Sequence, residues 1–136
     1  MPKESGLGWT TLSVDDSGDV VKDIKNDILD FSFATPRAVQ DVTGIDKSAI
    51  ERLLLLADFS ITLNVAFNDA TDKSHDVFKT VPSTSVARTV LLTVSGQILT
   101  VEVLFTDYPL TRGADGALTA AVPGVLADGT APVWTT

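Results

Sequence analysis

The chain has 136 residues, 44% hydrophobic and 21% charged, with 10 Lys and Arg against 18 Asp and Glu and a formal net charge of −8. That length and composition suit one globular domain with a real core. The lack of cysteine excludes disulfides and thiolate metal sites, and the acidic excess, with no Lys/Arg cluster, disfavours tight nucleic-acid binding.

The opening Met1-Pro2-Lys3-Glu4-Ser5 has no signal-peptide stretch. The longest apolar run, Leu53 to Ala57, falls far short of the roughly 20 residues that span a bilayer. Synthesis in a cytoplasm and no membrane segment are therefore expected. Residues 1–8, with two glycines and a proline, predict a flexible arm that orders on contact with something else. Residues 9–136 then form a single domain.

Trp9 to Val14 predicts a first strand, ended by the turn Asp15-Asp16-Ser17-Gly18-Asp19. Residues 20–33 mix helical spacing at Val20, Val21, Ile24 and Ile28 with alternation at Phe31 and Phe33. Extended chain with a helical turn before Ile28 fits both. Ala34 to Thr43 continues extended, and Pro36 suits an edge or a crossing between layers. After a turn at Gly44 to Asp46, Ser48 to Ala57 is a core segment, either helix or strand, since four consecutive leucines mark no single face.

Phe59, Ile61, Leu63, Val65 and Phe67 alternate with small or polar residues, as a strand with one buried face does. After a loop at 68–73, Ser74 is a plausible N-cap of a short helix, Asp76 suits its positive end, and Pro82 stops it. Strands follow at Val86 to Val94 and Ile98 to Tyr108, joined by a hairpin turn at Ser95-Gly96-Gln97. Thr111 to Gly116 turns the chain again. Leu118 to Leu126 is a last core strand, broken near Pro123-Gly124, and a tail runs to Trp134. About six to eight strands and one short helix predict a mainly β fold, a β-sandwich or barrel with the helix covering one end or face. Phe59, Ile61, Leu63, Val65, Phe78, Val101, Val103 and Phe105 are the expected core.

No catalytic frame appears. His75 is the single histidine and sits in no G-x-S-x-G or H-E-x-x-H context, so a solvated or capping role is expected. Glu102 and Asp107, five apart on one strand, would face opposite sides. Asp23, Asp27 and Asp30 would share a face only if helical. The acidic turn at 15–19 lacks the ligand spacing of a calcium loop, and Gly6-x-Gly8 lacks that of a phosphate loop. No cofactor, no metal and no enzymatic activity are expected.

Several stretches in order carry a resemblance: Phe33 to Arg37; Gln40 to Ala49; Glu51 to Ser60; Ser74 to Lys79; Leu104 to Tyr108; Asp115-Gly116; and Ala127 to Thr130. Together, over residues 9–135, they resemble the tail tube (major tail) proteins of long-tailed, non-contractile bacteriophages, with actinobacterial phages the nearest. Many such proteins add a C-terminal immunoglobulin-like domain, which is not expected here.

The resemblance implies a β-sandwich, barrel-like tail tube fold with one short flanking α-helix. It implies a virion tail protein that self-assembles into stacked hexameric rings around a lumen for double-stranded DNA. The implied partners are further copies of itself, the tape measure protein, and the tail terminator and distal tail proteins.

Leu7, Trp9, Pro36, Arg37, Asp46, Lys47, Arg52 and Trp134 are the expected subunit-interface residues. Asp23, Asp27, Asp30, Asp41, Glu102 and Asp107 are the expected acidic lining of the lumen. The alternatives are an Hcp-like ring component of a tail or secretion tube, or a β-sandwich ligand-binding module using Trp9, Tyr108 or Trp134.

Overall fold

The computed structural model describes residue 3 and residues 5–136. Alternation of apolar and polar residues builds most of it. β1 (Trp9–Asp15), β2 (Val21–Asp23), β3 (Ile28–Ala34), β6 (Ser60–Ala66), β7 (Arg88–Val94), β8 (Gln97–Phe105) and β10 (Leu118–Leu126) form an antiparallel sheet in the order β2-β1-β7-β8-β10-β6-β3. Short strands β9 (Leu110–Arg112) and β11 (Trp134–Thr135) pair with β10 and β8. β4 (Arg37–Asp41) and β5 (Arg52–Ala57) form a separate two-stranded hairpin.

The long sheet folds over at its middle. β7 pairs along its whole length with Gln97–Val103 of β8, whereas β8 meets β10 only at Val103–Phe105 against Gly124–Leu126. The two halves diverge from there and enclose the core. Leu12, Val14, Val90, Leu92, Leu99, Val101 and Val103 face Ile61, Leu63, Val65, Ala120 and Val122, all buried. α1 (Ser74–Phe78) closes one end with Val77 and Phe78, the latter edge-on to Phe105 at 5.3 Å between ring centroids. Every residue of the expected core is buried, and the fold is mainly β with one short helix, as the alternation predicts.

Local chemistry explains the connections. Between β7 and β8, Ser95 (φ 49°) and Gly96 (φ 78°) both take positive φ, the condition for a two-residue turn matching strand twist. A 3-10 turn at Lys25–Asp27 supplies the helical turn expected before Ile28.

Four sequence expectations need correction. Ser48 to Ala57 is not a core segment. Its ordered part is strand β5, and it stands in solvent because it pairs with β4 alone. The strand expected over Ile98 to Tyr108 ends at Phe105, so Asp107 lies beyond it. β10 runs unbroken through Pro123-Gly124. The Pro123 carbonyl accepts from Thr106 N–H where β10 passes from β9 to β8 as neighbour, a place where the missing proline N–H leaves no ladder bond unmade.

The fourth correction is at the helix start. Ser74 is not the N-cap but the first helical residue, and its hydroxyl donates to the Ala66 carbonyl at 2.7 Å. The cap comes from far along the chain. Asp27 accepts the Ser74 N–H at 3.1 Å and the Asn68 amide at 2.9 Å.

Candidate functional site

Two features stand out from the folded core. The first is the β4–β5 hairpin. It leaves the end of β3 through Thr35-Pro36, and every residue from 34 to 56 is exposed. Pairing of Val39 with Leu54 puts these two, with Leu56, on one apolar face. Leu56 is 91% exposed.

The hairpin is nonetheless ordered by its own hydrogen bonds. Next to the register shift between Arg37 and Val39, the Leu55 carbonyl accepts from Arg37 Nε at 3.1 Å and Nη2 at 2.8 Å. At the tip, Asp41 Oδ1 accepts the Thr43 N–H at 2.9 Å and the Thr43 hydroxyl at 2.5 Å, and Thr43 Oγ1 in turn accepts the Glu51 N–H at 2.8 Å. Those bonds, the Thr43 hydroxyl first, hold the Asp41 carboxyl below the usual carboxylate range. The tip so ordered displays Val42, Ile45 and Ile50 to solvent, with Ile45 fully exposed.

The second feature is a cavity of about 630 Å³ between β3 and the start of β1, lined mainly by Leu7, Trp9, Leu12, Ile28, Phe31 and Phe33. Trp9 meets Phe31 edge-on at 5.0 Å, and Phe31 and Phe33 lie nearly parallel at 6.4 Å. Lys25 and Asp30 also line it. The Lys25 ammonium donates to the Thr10 carbonyl at 3.1 Å, and Asp30 accepts from the Asn64 amide. β3 pairs with β6 on one side only, so its other edge is open.

The structure distributes the expected interface residues between these two features. Pro36, Arg37, Asp46, Lys47 and Arg52 belong to the hairpin or its base, and all are exposed. Leu7 (93% exposed) and Trp9 belong to the cavity. Trp134 packs on Phe33 at 6.1 Å. Of the arm, Gly6–Gly8 forms a 3-10 turn in which Ser5 Oγ accepts the Leu7 N–H. Met1, Pro2 and Glu4 lie outside the described residues.

The six expected lumen carboxylates are spread over several elements of the chain. Asp23 sits on β2, Asp30 on β3 and Asp41 in the hairpin. Glu102 is half-buried and takes the Thr89 hydroxyl, while Asp107 accepts the Tyr108 N–H at 2.8 Å. Asp27 must be withdrawn from that set. It is 4% exposed, and both its oxygens are occupied within the chain.

His75 shares a hydrogen bond with the Tyr108 hydroxyl at 3.2 Å and packs on Phe67 at 4.7 Å. Burial pushes the Tyr108 phenol up. Among the described residues no three His, Asp or Glu side chains come together as metal ligands, and no helix is long and apolar enough to cross a membrane. Sequence reasoning overlooked Arg88, 1% exposed, whose guanidinium donates to the Val77 carbonyl and Thr80 hydroxyl at 2.8 Å each. An arginine at an inward position of an alternating strand was the signal available.

No protein-family model matches the sequence, and no curated protein matches it. Solved structures do. The chain superimposes on a chain from the tail of an empty gene transfer agent particle, computed with helical refinement and C6 symmetry, with a TM-score of 0.73 and 16% identity. The match covers 98% of this chain and 100% of that one. A chain from the virion of a native gene transfer agent particle matches with a TM-score of 0.68, 16% identity and the same coverage. This chain shares their fold over nearly its whole length.

Proposed function

We propose that this chain is the structural, non-catalytic subunit of a phage-like tail tube, assembling into stacked six-membered rings whose lumen conducts double-stranded DNA. The observation that carries the reading is the end-to-end match to chains of a gene transfer agent tail and virion, with nothing large left over on either side. The exposed apolar hairpin supports it, because a segment with this much apolar surface needs a partner. The resemblance over residues 9–135 supports it independently, and favours the actinobacterial phages as the nearest source.

In this reading residues 9–136 are the tube domain and residues 1–8 an arm between copies. The partners are further copies, a tape measure protein inside the lumen, and terminator and distal tail proteins at the two ends. The place of action is the virion tail, after synthesis in the host cytoplasm. Asp23, Asp30, Asp41, Glu102 and Asp107 remain candidates for an acidic wall that would keep DNA from adhering.

Electron microscopy of the purified protein tests the reading, alongside a variant in which residues 38–56 are replaced by a short Gly-Ser turn. The parent should form tubes with six-fold rings, and the variant should fold but not elongate. Single closed rings from the parent would favour an Hcp-like ring component. A parent that stays monomeric at high concentration would overturn the assembly reading.

A further inference from the structure

We infer that the hairpin tip of one copy, led by Ile45, seats in the aromatic cavity between Trp9 and β3 of a second copy. The inference rests on the tube reading and names the joint that links its subunits. The tip is an ordered knob. Asp41, Thr43 and Glu51 close its neck by hydrogen bonds, the Lys47 N–H donates to the Gly44 carbonyl across Ile45, and Val42, Ile45 and Ile50 are all exposed, Ile45 fully. A loop closed at its neck in advance loses less freedom on docking than an open one.

The receiving cavity is mainly apolar and aromatic, opens to solvent, and at about 630 Å³ lies in the size range of ligand-binding clefts. No hairpin residue lines it, so the chain does not fill its own cavity. The charges match as well. Lys25 and Asp30 beside the cavity can pair with Asp46 and Lys47 beside Ile45, so seating the tip buries no unmatched sign. A knob and a cavity at different places on one chain make a heterologous contact, which links many copies into a closed ring or an open stack and does not stop at a dimer. Leu7 and Trp9 on one side and the hairpin on the other are thereby the two halves of one joint.

The chain has no cysteine, which makes a crosslinking test free of background. Leu29 lines the cavity and is 60% exposed. The full-length double variant Leu29→Cys/Ile45→Cys should, on mild oxidation of assembled protein, give a ladder of disulfide-linked species well beyond dimer. The control Ile45→Cys/Val125→Cys, with its second thiol on the outward face of β10, should not. Tubes of the double variant without a ladder would overturn this docking and leave the tube reading standing. A parent chain that forms no tubes, with no ladder from the variant, would overturn both.

A second variant guards against thiol geometry deciding the result. Ile45→Asp, checked to melt like the parent, should raise the concentration needed for tube formation at least about tenfold. Assembly at the parent's concentration would overturn the inference.

Discussion

Arg88 shows how a single buried cation is accommodated without an ion pair. Its donors go to the carbonyls of Val77 and Asp15 and to the Thr80 hydroxyl, tying β7 to the helix and to the end of β1. Burial lowers its pKa, and the nearby Asp16 and Asp15 act in the opposite direction. Arg88→Met keeps much of the volume but leaves these acceptors unpaired, so it should cost about 1–3 kcal/mol. Thermal unfolding measures this, and an unchanged midpoint would mean that water takes over the bonds.

Asp15 runs the other way. Burial raises its pKa above 3.8, Asp19 and Glu102 add to the rise, and a hydrogen bond from Thr89 opposes it. A carboxyl raised by folding favours the native state while protonated in both states, and that contribution is lost as pH climbs through the folded value. Asp15→Asn should therefore melt like the parent below about pH 3.8 and at a higher temperature than the parent at pH 7. Parallel melting curves of the two proteins across that range would refute this.

Among the elements, β10 carries the tightest constraint. It crosses β8 where the sheet folds over, and a Cβ at Gly124 would lie 2.5 Å from Val103 Cγ1 and 3.1 Å from the Phe105 ring. Val103 is fully buried and cannot swing out to make room. Gly124→Ala should destabilise by about 1–3 kcal/mol through overpacking, whereas the same change at Gly6, where nothing lies within 4 Å, should do little. Denaturant titration of the pair checks the contrast, and equal midpoints would place the crossing elsewhere. The helix is set by long-range bonds of a similar kind. Its five residues are too few to persist alone, and Asp27 and Arg88 hold its two ends.

At the scale of the whole molecule, a net charge of −8 opposes bringing copies together. The proposed joint is mostly apolar, so it gains little from low salt, while the general repulsion is strongest there. Raising salt from about 0.01 M, where charges act over about 30 Å, to about 0.1 M, where they act over about 10 Å, should lower the concentration at which tubes form. Light scattering across that range measures it. A concentration that rises with salt would mean that ion pairs, and not apolar contacts, hold the copies together.

The sequence by itself determined the period-two strands, the turn at Ser95-Gly96, the helical turn before Ile28 and the core residues on alternating strands, because alternation and turn chemistry act within a few residues. It also singled out Pro36, Arg37, Asp46, Lys47 and Arg52, and Leu7 and Trp9, as interface residues, but not the hairpin and the cavity to which the fold assigns them. Only the tertiary structure decided where apolar residues with no clear period would go. Leu53 to Leu56 read as core, yet they stand in solvent because β4 alone pairs with β5. Asp27 read as a surface acid, yet it is buried because the folded chain brings Asn68 and Ser74 to it across more than forty positions. The position of Gly124 against Val103 likewise depends on a crossing that no local pattern encodes. Burial and long-range partners are set by which strands meet, and in an antiparallel sheet that folds over itself this is a property of the assembled chain.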